Sequence, residues 1–196
     1  MDNKMPGRLG NPNETLMTDV RADPRIIDFL KMSGLDKTLQ TESGQLTEDS
    51  NHEELLAYCA NFEEGSTAAH PMEWEMMPEY PNVLSSEETI QGTDGNNITL
   101  FVHKPKIQTD KVPCVVHTHG GGMVVMTAAD PAFVRWRNTL CSLGMVVVGI
   151  EFRNGGGKLG NHPFPAGLND CASGVKWTYE HKEELNIASI VISGES

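Results

Sequence analysis

The stretch VPCVVHTHGGG at residues 112–122 decides the fold of this 196-residue chain. Its first seven residues are mostly apolar and rich in valine, which predicts a strand buried on both faces of a sheet, as in parallel sheets. The three glycines that follow allow the main chain to turn sharply directly after this strand. A second predicted strand, at residues 189–193, leads into Gly194-Glu195-Ser196, so two predicted strands each end in a glycine-containing turn.

The segments around this stretch alternate between strand and helix patterns. Two strands flank a predicted Asp-Gly hairpin turn at residues 92–96. A buried strand, a helix, a strand, a helix and a strand then follow, and this order predicts an α/β fold with a mixed, mostly parallel sheet. The predicted strands are residues 87–91, 98–104, 112–118, 145–150 and 189–193, and the predicted helices are residues 131–143 and 167–185.

Residues 1–84 are predicted to form a helical cap region and a linker, and residues 85–196 to form the sheet domain. Residues 1–20 are expected to be loose. Asp23-Pro24 has the pattern of an N-cap with proline at the first helical position, which predicts an amphipathic helix ending at Ser33-Gly34. A second helix is predicted over residues 52–62. Residues 65–83 contain several prolines and predict a loop that packs on the body, with a lid over a pocket as the alternative.

Two motifs point to chemistry at the ends of the buried strands. Gly194-Glu195-Ser196 is the first half of the Gly-x-Ser-x-Gly turn that presents a nucleophilic serine. The sequence HGGG at residues 119–122 is typical of a loop whose backbone N–H groups stabilise an oxyanion. Either motif alone occurs often by chance, but the two together, each after a strand and 77 residues apart, are specific. Together they predict ester hydrolysis by a serine.

On these residues the chain resembles the hormone-sensitive-lipase family of α/β-hydrolase carboxylesterases, from about residue 85 to residue 196. Within that family, IEFRN at 150–154 and HPFPAG at 162–167 are similar to the brefeldin A esterase group. The resemblance implies an α/β-hydrolase fold with an N-terminal helical cap. It also implies roles for particular residues: Ser196 as the nucleophile, Gly121 and Gly122 as oxyanion-hole donors, and His119, Gly120, Gly194 and Glu195 as supporting motif positions.

The resemblance also implies what should follow Ser196. In this family the third oxyanion donor, further strands, and the Asp/Glu and His of the triad come after the nucleophile in chain order. We therefore expect the 196 residues alone to be inactive, with an exposed apolar edge on the last strand, and the missing C-terminal part to complete the triad.

Two departures from the family pattern bear on the pocket. The family commonly has Asp-Tyr-Arg where this chain has Glu151-Phe152-Arg153, and a glycine-rich segment at residues 155–160 replaces a shorter one. They leave Ser196 and the HGGG motif unchanged and affect the shape of the pocket.

The function implied by the resemblance is a serine carboxylesterase acting on small carboxylic esters or lactones, with no cofactor and no metal. The alternative comes from the same family. Plant gibberellin receptors share its pattern, and they hold a ligand without hydrolysing it. The residue that occupies the position of the triad His would separate these two functions.

Composition excludes several other classes of protein. The net charge is −12, and residues 1–100 carry 19 acidic and 6 basic side chains, which disfavours nucleic acid as a partner. No apolar run approaches the roughly 18 residues of a membrane span, and the N-terminus lacks the apolar segment of a signal peptide. Four cysteines without a C-x-x-C pair favour a reducing, cytoplasmic setting. A homo-oligomer is compatible with the sequence.

Competing interpretations of single residues are less favoured. GGGK at 155–158 lacks the flanking residues of a phosphate-binding loop. His117 and His119 have the spacing of a metal pair but no clear third ligand, so we expect His117 to be a core or hydrogen-bonded histidine and His119 to shape the glycine loop. We expect Arg153 to form a buried ion pair and Asp170 to have a structural role. Trp136 and Trp177 are expected in the core.

Overall fold

A five-stranded mixed sheet organises residues 50–196, the second of two units into which the chain divides. The computed structural model describes residues 15–32 and 46–196. The strand order is β1-β2-β4-β3-β5, in which β2 is antiparallel to both β1 and β4, and β3 is parallel to both β4 and β5. The α/β-hydrolase type of mixed sheet predicted from the sequence is confirmed. The strands are β1 (Val83–Gln91), β2 (Asn97–Pro105), β3 (Val112–Thr118), β4 (Val146–Glu151) and β5 (Ile187–Gly194).

Five helices lie in the described residues, one in the first unit and four in the second. The helix of the first unit starts at Pro24, and the Asp23 carboxylate before it accepts the Arg25 N–H at 2.9 Å, as the Asp-Pro pattern predicted. Its predicted end at Ser33-Gly34 and the first 14 residues lie outside the described part. The helices are α1 (Pro24–Met32), α2 (His52–Thr67), α3 (His70–Glu75), α4 (Pro131–Ser142) and α5 (Ala166–Glu180).

The core lies on both faces of the sheet because β3 and β4 carry consecutive apolar residues, at 114–116 and 146–148. Val116 and Val148 are paired neighbours that pack under α5, whereas Val115 and Val147, one residue earlier, pack under α4. Successive side chains of a strand point to opposite faces, so a run without polar alternation needs cover on both sides. Helices α4 and α5 supply it, which confirms the prediction for β3.

Two glycines admit the helices at close range. Helix α5 approaches β4 at Gly174, where an added Cβ would lie 2.5 Å from Ile150 Cδ1. On the other face, Gly149 of β4 leaves room for the fully buried Arg137 of α4, whose Cδ would lie 2.7 Å from an added Cβ. The inward face of α4 therefore carries Arg137, and its neighbour Trp136 is 41 % exposed, so the prediction that Trp136 lies in the core was wrong. Trp177 packs against the core as predicted.

The segment predicted as a loop at residues 65–83 is partly helical. Helix α2 continues to Thr67, and α3 begins at His70 with Pro71 in its first turn. Proline is accepted in a first turn because its missing N–H would have no partner there, so it marks the start of a helix here. Beyond α3, the Tyr80 hydroxyl lies 2.9 Å from Thr139 Oγ1 of α4, which anchors this segment on the body.

The four cysteines are free thiols, as expected for small hydrophobic residues. Cys114 and Cys141 are buried, and burial raises the pKa of the Cys114 thiol to about 12 and that of Cys141 to about 11. Thiols with such pKa values stay protonated and unreactive. Among the helices formed by residues 15–32 and 46–196, none has the length and apolar character needed to cross a bilayer.

Two helical glycines give a matched test of this packing. Gly174→Ala should lower the free energy of unfolding by about 1–3 kcal/mol, because the new methyl group collides with Ile150. Gly65→Ala, where an added Cβ in α2 meets nothing within 4 Å, should raise it by up to about 1 kcal/mol, because alanine has the higher helix propensity. Urea denaturation of both variants measures the two changes, and equal signs would contradict the packing described here.

Candidate active site

The two predicted motifs lie side by side because the strands that carry them are parallel neighbours. Thr118 at the end of β3 is paired with Gly194 at the end of β5. Beyond this pair, the Glu195 N–H donates to the Thr118 carbonyl at 3.3 Å. A Cβ placed on Gly120 would lie 3.1 Å from the Ser196 carbonyl oxygen. The glycine loop and Ser196 are therefore in contact at the carboxyl edge of the sheet, where open α/β sheets bind their ligands.

The loop after β3 folds back on itself through a series of left-handed residues. Gly121 and Gly122 have φ values of 108° and 64°, and Met123 and Met126 follow with 59° and 72°. The Gly121 carbonyl accepts the N–H groups of Val124 and Val125 at 3.0 and 3.2 Å. An added Cβ on Gly121 would lie 2.2 Å from the Val125 carbonyl oxygen, so only glycine fits. Residues 119–126 are called the glycine loop below.

The two glycines predicted as oxyanion donors keep their N–H groups available. Within the described residues, neither the Gly121 N–H nor the Gly122 N–H donates to a protein acceptor. Backbone donors left unpaired by the fold can be satisfied by a ligand oxygen. These two donors come directly after Gly120, the residue that contacts the exposed Ser196.

His119 holds the start of the glycine loop. Its Nδ1 donates to the Gly120 carbonyl at 2.8 Å, and its ring stacks on Phe152 with centroids 4.1 Å apart. Burial lowers the pKa of His119 to about 4, so the ring is neutral with its proton on Nδ1. Phe152, which departs from the Tyr of the family pattern, thus supports His119 with an apolar ring face.

His117 fixes the residue before the serine. Its side chain is fully buried, and Nε2 lies 3.1 Å from the Glu195 Oε1. Burial lowers the pKa of His117, so the neutral ring donates its Nε2 hydrogen to the carboxylate. The expectation of a hydrogen-bonded core histidine is confirmed. Within residues 15–32 and 46–196, no three His, Cys, Asp or Glu side chains are grouped so that they could hold a metal ion.

A buried polar cluster lies behind the glycine loop and was missed by the sequence analysis. Glu151 Oε1 accepts the Ala128 N–H at 2.7 Å, and Arg137 Nη2 donates to the Ala128 carbonyl at 2.7 Å. Arg137 also donates through Nε to His103 at 3.1 Å. Burial raises the pKa of Glu151 to about 7 and lowers that of His103 to about 4. The only sequence signal for this cluster is that charged residues occupy positions where the pattern expects apolar ones.

The Arg153 ion pair predicted from the sequence is present. Its guanidinium contacts Asp170 at 2.8 Å and Asp94 at 2.6 Å, and the Arg153 N–H also donates to Asp170. Burial acts to raise the pKa of Asp170, but the hydrogen bonds from Arg153 outweigh it and hold that pKa below its usual value. Asp170 thus ties the start of α5 to the turn after β4, which is a structural role.

The glycine-rich segment at 155–160 packs along the glycine loop. Gly155 N–H donates to the Met123 carbonyl at 2.9 Å, and Gly156 N–H donates to the Val124 carbonyl at 2.8 Å. The Asn154 side chain adds a bond from Nδ2 to the Met126 carbonyl at 2.7 Å. These bonds make residues 154–158, called the support loop below, a second layer behind the glycine loop.

Comparisons with known proteins agree with this geometry. The BD-FAE family model matches residues 100–196. Brefeldin A esterase, a bacterial homologue of human hormone-sensitive lipase, superposes with a TM-score of 0.84 and 34 % identity over 96 % of this chain and 52 % of its own. Esterase Est22 superposes with a TM-score of 0.70 and 30 % identity over 93 % of this chain and 54 % of its own. Carboxylesterase NlhH of Mycobacterium tuberculosis is 31 % identical over 127 residues, covering 62 % of this chain and 36 % of its own.

The fold is that of the α/β-hydrolases, and the solved structures it matches are esterases. Within that fold the chain is similar to the hormone-sensitive-lipase family, as its motifs indicated. The chain spans about half the length of the solved esterases and about a third of the curated carboxylesterase that it matches.

The Glu151 carboxyl, which is partly buried behind the glycine loop, should make the free energy of unfolding depend on pH. The pKa of Glu151 is higher in the folded chain, about 7, than its ordinary value of 4.5, so its stabilising contribution is lost as the pH rises through 7. Glu151→Gln does not titrate. Between pH 5 and pH 8, wild type should lose roughly 1–3 kcal/mol relative to this variant.

Urea unfolding at pH 5, 6.5 and 8 measures this difference. Glu88→Gln, on the exposed strand β1, controls for the removal of a surface carboxylate. A difference between wild type and Glu151→Gln that is constant over this pH range would contradict the burial of an ionisable Glu151.

Proposed function

We propose that this protein is a serine carboxylesterase that hydrolyses small carboxylic esters or lactones through an acyl-enzyme intermediate. The observation that carries the proposal is the contact between Ser196 and the glycine loop at the ends of two parallel strands. The relatives named as esterases share this fold and support hydrolase activity.

The proposed reaction begins with attack of the Ser196 hydroxyl oxygen on the ester carbonyl carbon. The developing oxyanion accepts hydrogen bonds from the Gly121 and Gly122 N–H groups. Collapse of the tetrahedral intermediate expels the alcohol and leaves an acyl-serine ester, which water then hydrolyses to the acid and free Ser196. A histidine oriented by an acidic residue takes the serine proton and passes it to the leaving alcohol. In this fold both follow the nucleophile in chain order.

The proposed substrate is uncharged and largely apolar close to its carbonyl carbon. Met123 and Val124 expose about 40 % of their surface on the glycine loop, beside the two oxyanion donors. Burial of apolar substrate groups against such side chains contributes about 25 cal/mol per Å². No cofactor or metal takes part in the proposed steps, because serine, the backbone donors and a histidine supply the nucleophile, the electrophilic stabilisation and the base.

Replacement of the nucleophile is the direct test. In the intact native protein, Ser196→Ala should lower kcat/KM for p-nitrophenyl acetate by about 10⁴-fold or more, because no acyl-enzyme can form. Ser189→Ala, at an exposed serine on the strand that leads to Ser196, is the matched control and should retain the wild-type rate. Equal rates in wild type and Ser196→Ala would refute hydrolysis by this serine and favour a ligand-binding protein.

The oxyanion turn can be tested through its backbone. Gly121→Ala should lower kcat by about 10²–10³-fold, because the methyl group collides with the Val125 carbonyl and moves the N–H donors. Gly95→Ala, at a left-handed glycine in the β1–β2 turn with open space around it, controls for backbone strain alone. Steady-state kinetics with the active fraction titrated separates lost catalysis from lost folding. A kcat for Gly121→Ala as high as that of the control would argue against this turn as the oxyanion hole.

A further inference from the structure

Helix α2 places a carboxylate at its one buried position. Glu63 is 3 % exposed, whereas its neighbour Glu64 lies on the exposed face. A buried carboxylate is strongly unfavourable unless hydrogen bonds replace its hydration. The surroundings of Glu63 must therefore be arranged to receive it.

The Glu63 carboxylate accepts one backbone N–H from each of two loops. Oε1 accepts the Met126 N–H at 2.8 Å, at the end of the glycine loop. Oε2 accepts the Lys158 N–H at 2.7 Å, at the end of the support loop. Hydrogen bonds to a charged acceptor are about twice as strong as those between neutral groups. One side chain of α2 therefore links the far ends of both loops.

Backbone conformation at both loops is adapted to this carboxylate. Met126 has a φ of 72°, a left-handed conformation that costs a residue with a side chain roughly 1–2 kcal/mol. Gly157 has a φ of 61°, and a Cβ added there would lie 2.7 and 2.8 Å from the two Glu63 oxygens. Only glycine thus leaves room for the carboxylate, and the bond from Met126 compensates the strain at that residue.

The two loops that Glu63 joins are the layers that shape the oxyanion turn. Gly155 and Gly156 of the support loop bond to Met123 and Val124, and the Gly121 carbonyl in turn accepts the N–H groups of Val124 and Val125. Gly121, Met123, Val124, Val125 and Met126 are therefore hydrogen-bonded to one another or to the support loop, and Glu63 holds the far end of both loops. A displacement of that end moves the turn, and a 1 Å misplacement of catalytic groups can cost about 10²-fold in rate.

We propose that Glu63 is a positioning residue for ester hydrolysis, which fixes the oxyanion turn from helix α2 through the Met126 and Lys158 N–H groups. This rests on the proposed function of the glycine loop. Glu63 touches no reacting atom. It acts by holding the Gly121 and Gly122 donors where the oxyanion forms, so it should matter more in the transition state than in the bound substrate.

The variants are made in the intact native protein. Glu63→Gln keeps the shape of the side chain but replaces one acceptor oxygen with an NH₂ group. One of the two hydrogen bonds is lost, because two N–H donors then face each other. Glu63→Ala removes both bonds. Glu64→Gln controls for the loss of a charge on the adjacent exposed position. Lys158→Ala controls for the exposed lysine side chain and leaves the backbone N–H that bonds to Glu63 in place.

Kinetics with p-nitrophenyl acetate should separate positioning from folding. With active sites titrated, kcat should fall about 10–100-fold in Glu63→Gln and Glu63→Ala, while KM stays within about threefold. Affinity for a trifluoromethyl ketone, which forms a tetrahedral adduct, should fall in parallel with kcat. Both controls should remain within about twofold of wild type. A fall in titrated sites alone, with kcat per site unchanged, would overturn the proposal in favour of a purely structural role.

A second test of the proposal uses substitutions at Gly157. Gly157→Ala should reduce kcat because its methyl group displaces the carboxylate. In the Glu63→Ala background that space is empty and only the cost of the left-handed conformation remains, so the same substitution should reduce kcat by a smaller factor. Multiplicative effects in the double variant would contradict the contact on which the proposal depends.

Amide hydrogen exchange tests the anchoring without reference to catalysis. Exchange at Met126 and Lys158 should accelerate at least tenfold in Glu63→Ala relative to Glu64→Gln. Unchanged exchange would overturn the proposal even if activity fell. If wild type itself hydrolyses no ester, the proposed function fails and the catalytic half of this proposal fails with it, while the exchange data still decide whether Glu63 anchors the two loops.

Discussion

The parallel pairing of β3 with β5 is the constraint on which the site depends. It continues through Thr118 and Gly194, the last residues before each strand gives way to its turn. Parallel strands end at the same edge of a sheet. The pairing of β3 with β5 is therefore enough to bring the glycine loop into contact with Ser196. The helices on the two faces of the sheet stabilise this pairing. They cover the apolar runs of β3 and β4, and without that cover the central strands would not stay buried.

Behind the site, the buried polar groups are kept largely neutral, and this determines how they interact. Burial favours the uncharged rings of His103, His117 and His119 and the protonated form of Glu151. Neutral donors and acceptors hold the backbone of the glycine loop with directional hydrogen bonds and add little net charge. The exceptions are Arg137, whose fully buried guanidinium donates to carbonyl and imidazole acceptors, and Glu63, whose buried carboxylate accepts two backbone N–H groups.

Sequence patterns predicted what depends on periodicity and failed where contacts join distant residues. The strands and the mixed, mostly parallel sheet followed from apolar runs and turn residues, whereas the pairing of β3 with β5 came from the structure. Trp136 was placed in the core because an aromatic residue in an apolar helix pattern usually lies there, yet the inward face of α4 carries Arg137. Glu63 gave no signal, since it is one of four glutamates in α2 and its partners lie 63 and 95 residues further along the chain. The roles of Ser196, Gly121 and Gly122 stay predictions, because they concern reacting atoms.

The contact between Gly149 and Arg137 has a consequence for how such a sequence can change over evolutionary time. Arg137 occupies the volume that any side chain at position 149 would need, so the two positions are sterically coupled. Substitution of Gly149 by a larger residue is sterically prevented while Arg137 is present. A change at 137 to a shorter residue would leave a cavity first and open the neighbouring position afterwards. Lineages that lose this arginine must therefore pass through a less stable intermediate before β4 can acquire a side chain there.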